Sequence, residues 1–235
     1  MAVVAVLVVS LPTGNEKNDV GRSQNVEPEE TKGPEVAEEP EEVPSGPVLD
    51  YSDDLLKVAN KKHSIKNYVP TDLMQGHGYW YRKILSADLE KMLAAAQEDG
   101  VRITIVSAYR SYDYQASLYN GYVVQDGKKK ADTYSARAGH SEHQLGLAFD
   151  FGSSGRPDSN FDASYATTAE GKWLKKNSYK YGFILRYTQE NTGITGYMSE
   201  PWHYRYIGKS NALAYRESGA GSFEEFLGVE GGDYE

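Results

Sequence analysis

The chain has 235 residues, no cysteine and a net charge of −9. Lack of cysteine excludes disulfide staples, thiolate metal sites and a cysteine-linked lipid anchor. The charge is concentrated: Glu27–Glu42 sets eight glutamates against Lys32, which is −7, so the rest is near −2 and has no basic stripe of the kind that binds nucleic acid.

Residues 2–11, AVVAVLVVSL, are apolar but too short to span a bilayer, which takes about twenty residues. They read either as the remnant of a membrane anchor or signal segment, over 1–12, or as a core strand. The next stretch favours the anchor. Residues 13–48 are acidic and hold most of the chain's prolines, so they read as a disordered, extended tether. The composition turns globular near residue 49, and a single folded domain is expected over 49–235.

Within it, SADLEKMLAAAQEDG predicts a helix with Ser86 as N-cap and Gly100 as stop. Its apolar face is Leu89, Met92, Leu93 and Ala96. VRITIVSAYRS alternates and predicts a strand. Asp113 can cap a short helix running to about Val124. Residues 125–140 read as loop, and Lys128–Lys130 there read as a solvated run, with attraction to anionic wall polymers as the sharper alternative. LGLAFDF predicts a strand and Gly152–Asp162 a loop. TAEGKWLKKNSYKYG predicts a helix ending near Gly182. FILRY and WHYRYI predict two further strands, and SNALAYRESG and SFEEFLG two short closing helices. Strands and helices do not alternate strictly. The fold class is therefore α+β, with a small, mostly antiparallel sheet flanked by helices.

Two segments carry unusual company. In SEHQLGLAFD, Asp150 projects from one face of a strand, and Gly146 lets the chain bend so that His143 can fold back toward it. The plain alternative is an exposed turn histidine and an edge-strand aspartate. In SEPWHYRY, Pro201 disfavours helix at Glu200, which puts Glu200 in a turn and His203 in the following strand. Trp202, Tyr204 and Tyr206 then share one face, as core or groove wall, and His203, Arg205 and Ile207 the other. Together the segments offer two imidazoles, a carboxylate and one spare glutamate. A catalytic zinc site takes three protein ligands and leaves a position for water, whereas a structural site is usually closed by four. His140 reads as a neighbour of the site or exposed, and His63 and His77 are given no role.

GHSEHQLGLAFD with EPWHYRY resembles the VanY-type zinc carboxypeptidases of bacterial cell walls. The S-x-H-x-x-G-x-A-x-D pattern is complete in Ser141, His143, Gly146, Ala148 and Asp150. LLKVANKKHSIKNYVPTDL, SAYRSYDYQ, YGFILRY and SFEEFL extend the likeness over roughly residues 50–228. The resemblance implies a zinc-peptidase domain of the hedgehog and D-Ala-D-Ala-peptidase type, with one Zn2+ per chain held by His143, Asp150 and His203. It implies Glu200 as catalytic base. Arg110 would contact substrate near the scissile carbonyl or hold the peptide's terminal carboxylate. Gln115 and Ser141 would line the peptide pocket. The substrate implied is the peptidoglycan stem peptide, losing its C-terminal D-Ala, with the wording of the motifs closer to the L,D-carboxypeptidase subgroup than to the D,D enzymes. A monomer at the bacterial cell surface, joined to the membrane only through an N-terminal anchor, is expected. An endopeptidase of related type and a non-catalytic wall-peptide binding module with structural zinc remain open. Retention of Glu200 argues against the latter.

Overall fold

A computed structural model describes residues 54–66 and 68–235; the expected anchor remnant over 1–12 and tether over 13–48 lie outside the described residues. Four strands make the main sheet: β3 (Ile103–Ser107), β4 (Ala148–Ser153), β5 (Phe183–Tyr187) and β6 (Glu200–Tyr206). Their order is β3-β4-β6-β5, and every neighbouring pair is antiparallel. The hairpin β1 (Leu73–Gly76) and β2 (Tyr79–Arg82) precedes it. Helices α1 (Ser86–Glu98), α2 (Tyr112–Asp126), α3 (Lys128–Tyr134), α4 (Ala169–Asn177), α5 (Thr192–Thr195), α6 (Lys209–Ser218) and α7 (Phe223–Leu227) complete the fold.

The sheet separates core from chemistry because strand side chains alternate. From β4 and the residue before it, Leu147, Phe149 and Phe151 enter the core. There they meet Leu89, Met92 and Ala96 of α1, Phe183 of β5, and Tyr204 and Tyr206 of β6. Phe149 and Phe151 stack 5.6 Å apart, and Phe183 closes edge-on against both. Each such ring, fully buried, is worth roughly 1.5–3 kcal/mol. The opposite face of the same two strands carries Asp150, His203 and Arg205. Register aligns Asp150 with His203 and Ala148 with Arg205.

Local chemistry departs from the sequence reading in several places. Ser86 is not the cap of α1: the chain enters from a 3₁₀ turn at Lys83–Leu85, so Ser86 is already helical and Leu85 occupies the cap position with no side-chain bond. Asp113 does not cap α2 either. Ser111 does, its Oγ accepting from the Tyr114 amide. Residues 125–140 are not all loop. Gly127, at φ 80°, ends α2, and α3 begins at once with Ala131 buried beneath it. Lysine is a good helix former, so an exposed Lys128–Lys130 run suits a solvated helix face as well as a loop. Glu200 opens β6 rather than sitting in a turn before it. The helix expected to end near Gly182 stops as α4 at Asn177 and continues as a 3₁₀ turn to Tyr181.

Candidate metal and peptide site

His143 belongs to a 3₁₀ turn, Glu142–Leu145, that Gly146 ends at φ 68°, a left-handed conformation natural to glycine. This bend folds the turn back over β4. His143 Nδ1 lies 2.6 Å from the Ala108 carbonyl oxygen, to which it donates. With that proton placed, Nε2 presents its lone pair to the site. It lies 3.2 Å from Asp150 Oδ2 but outside hydrogen-bond geometry, buried and without a partner. His203 is used in the opposite sense. Its Nε2 is 3.2 Å from Glu142 Oε2, and its Nδ1 is 3.1 Å from Asp150 Oδ1. One ligand atom each from His143, Asp150 and His203 lies within 4.8 Å of the others, and all three residues are buried.

The structure thus brings together the three residues singled out as ligands. Two imidazole nitrogens and a carboxylate form a donor set suited to zinc. The other nitrogen of each ring is held from outside the group, so His143 Nε2 and His203 Nδ1 both face Asp150. Glu200 stands beside this group: its Oε2 is 3.9 Å from His203 Nδ1. Arg110 lies opposite, its Nη2 3.9 Å from Asp150 Oδ2 and its Nε buried without a partner. A cavity of about 230 Å³ joins them, with Gln115 and Ser141 on its wall and Trp202 at its edge. Gln115 donates to the Ala136 carbonyl at 2.7 Å, while its Oε1 is buried and unpartnered. Tyr204, by contrast, is wholly core. His140 is not at the site: its Nδ1 meets the Asn60 carbonyl, and its ring packs edge-on against Tyr234. His63 and His77 bond Asn60 and Glu90, and neither lines the cavity.

Burial sets the charges. Burial, helped by the Arg110 cation, pushes His143 down to about 4, so this ring is neutral. Burial also works against a charge on His203, but hydrogen bonds to Asp150 and Glu142 outweigh it and raise it to about 9. Asp150 would be raised by burial, yet the His143 and His203 rings hold it well below the usual carboxylate range. Glu200 goes the other way. Burial pushes it up to about 8, opposed by His203 and reinforced by Asp150.

One residue that lines the cavity escaped the sequence reading. Glu142 is buried, lies 3.2 Å from the second ring nitrogen of His203, Nε2, and also accepts from Arg186 Nε at 2.8 Å and Arg205 Nη1 at 3.1 Å. The signal was the two arginines: a lone cation inside FILRY and another inside WHYRY each require a buried acid.

A family model described as VanY, D-alanyl-D-alanine carboxypeptidase, matches residues 79–209. The chain is 37% identical over 177 residues to YodJ of Bacillus subtilis, covering 71% of this chain and 64% of that one, so it spans under two thirds of that relative. The solved L,D-carboxypeptidase DacB of Streptococcus pneumoniae superposes with a TM-score of 0.63 at 42% identity, covering 76% of this chain and 89% of that one. A vancomycin-resistance D,D-pentapeptidase VanY variant, solved with Zn(II), superposes at 0.66 with 32% identity, covering 74% of this chain and 99% of that one.

Proposed function

We infer the reaction from the site, with the family as premise: the chain belongs to the VanY family of D-alanyl-D-alanine carboxypeptidases. The protein is read as a zinc carboxypeptidase that removes the C-terminal D-Ala of peptidoglycan stem peptides, acting as an L,D-carboxypeptidase on tetrapeptides. The observation that carries this is a three-ligand group with a buried glutamate left free beside it. The L,D preference draws support from the 42% identity to DacB against 32% to the D,D-pentapeptidase. The D,D reading on pentapeptides is kept alive by the family's own description. Stem peptides place the reaction outside the cytoplasm, at the cell wall. Attachment through residues 1–12 and a monomeric state belong to the same reading.

When bound, zinc supplies Lewis acidity, acidifying water toward pKa ~7 and polarising a carbonyl. His143, Asp150 and His203 would hold it. Glu200 takes the proton of the water that attacks the scissile amide carbon and returns it to the leaving amine nitrogen. A carboxyl raised by burial suits this exchange near neutral pH. Arg110 either donates to the developing oxyanion or forks onto the terminal carboxylate. The free Gln115 Oε1 and the Ser141 hydroxyl offer the peptide an acceptor and a donor.

Two outcomes are expected. Stripping metal with a chelator should abolish D-Ala release, and one equivalent of zinc should restore it; activity that survives complete demetallation, checked by metal analysis, sinks the zinc reading. Arg110→Ala should lower turnover by about 10²–10³. Mass spectrometry of products from tetrapeptide and pentapeptide muropeptides tests specificity. Faster loss of D-Ala from the pentapeptide overturns the L,D preference.

A further inference from the structure

Glu142 divides its two carboxylate oxygens between different tasks. Oε1 accepts from Arg186 Nε and from Arg205 Nη1. Among the described residues, Oε2 takes no arginine and meets His203 Nε2, at 3.2 Å. Each arginine is also fixed from elsewhere. Arg186 makes a two-point contact with Glu224 of α7, at 2.8 and 3.2 Å. Arg205 donates to the carbonyls of Leu55, Lys57 and Tyr206. Asn60 holds Glu224 in turn, 3.2 Å away. All four charged side chains of this cluster are buried. Two carboxylates face two guanidinium groups, so the cluster is neutral without help from the histidine.

Glu142 therefore serves both arginines through one oxygen, and the second oxygen is left to point at a metal ligand. An imidazole whose Nε2 proton is held by a carboxylate must present Nδ1. Its neighbour His143 does the reverse, with Nδ1 held by a carbonyl and Nε2 presented. Opposite tautomers let two rings 4.9 Å apart and nearly perpendicular aim at one point.

We propose that Glu142 is a positioning residue: clamped by Arg186 and Arg205, it fixes the tautomer and orientation of His203 so that Nδ1 faces the cation. This rests on the zinc reading above. Arg186, Arg205 and Glu224 then link the closing helix α7 and the segment around Leu55–Asn60 to a ligand of the site.

The test measures zinc affinity, not activity. In competition with a chelating dye, Glu142→Gln should bind zinc about 10- to 100-fold more weakly than wild type. Leu89→Ala, a truncation in the hydrophobic core by a residue of α1 that does not line the cavity, serves as the destabilised control and should keep wild-type affinity. Equal affinity of Glu142→Gln and wild type overturns the proposal, as does an equal loss in the Leu89→Ala control. Should Glu142→Gln fail to fold, ¹⁵N NMR of the zinc-loaded wild type decides. A proton on His203 Nε2 is expected, and a proton on Nδ1 overturns it. A wild type that takes up no zinc by metal analysis would instead remove the functional reading beneath.

Discussion

Glu200→Gln should cut D-Ala release by about 10²–10⁴ while leaving zinc affinity within a few-fold of wild type. The amide keeps the shape of the side chain and loses only its capacity to take a proton. Glu200 lies near the three-ligand group without belonging to it. The substitution therefore separates two roles that a change at His203 would confound. Metal content and kcat measured on the same sample make the test. Full zinc occupancy with undiminished kcat would remove Glu200 from the reaction. Loss of zinc along with activity would make it a ligand rather than a base.

Arg186→Met should cost about 3–5 kcal/mol of stability at neutral pH, read by urea unfolding. Its guanidinium is fully buried and is shared by Glu142 and Glu224. Removing it strands a buried carboxylate at Glu224 with Asn60 and its own backbone amide, and no cation, to hold it among the described residues. The pH dependence carries a sign. Burial alone would raise Glu224, but Arg186 outweighs it and holds the carboxyl below its usual 4.5. A depressed acid stabilises the fold above its unfolded value and loses that contribution as pH falls through the folded one. In the variant the arginine is gone, burial dominates, and the sign reverses. The stability gap between wild type and variant should thus narrow on acidification below about pH 5. A gap that stays constant or widens would show that Glu224 is not held by Arg186.

The sequence was most legible where chemistry and spacing were local. His143 and Asp150 fall seven positions apart around one glycine, and Glu200 and His203 three apart across one proline. Alternation in LGLAFDF placed Asp150 on the face opposite its phenylalanines, and the same rule set His203 apart from Tyr204. The less legible parts depend on distant partners. Glu142 meets Arg186 across 44 residues and His203 across 61, through a register that no single segment announces. The hairpin β1–β2 went unread because its turn is His77–Gly78, with φ of 52° and 84°, and histidine is an unusual residue for a left-handed position. The caps were misplaced by two competing signals, a 3₁₀ lead-in before Ser86 and a serine upstream of Asp113.

The ladder between β4 and β6 pairs Asp150 directly with His203. Those two residues are 53 positions apart along the chain, so nothing brings them together before the central hydrogen bonds close. A slip of one residue would turn one of them into the hydrophobic interior. An unfolded polypeptide then has no preassembled chelate, and it meets dissolved metals as scattered single donors of weak affinity. Ion selection is consequently deferred until the native topology is complete.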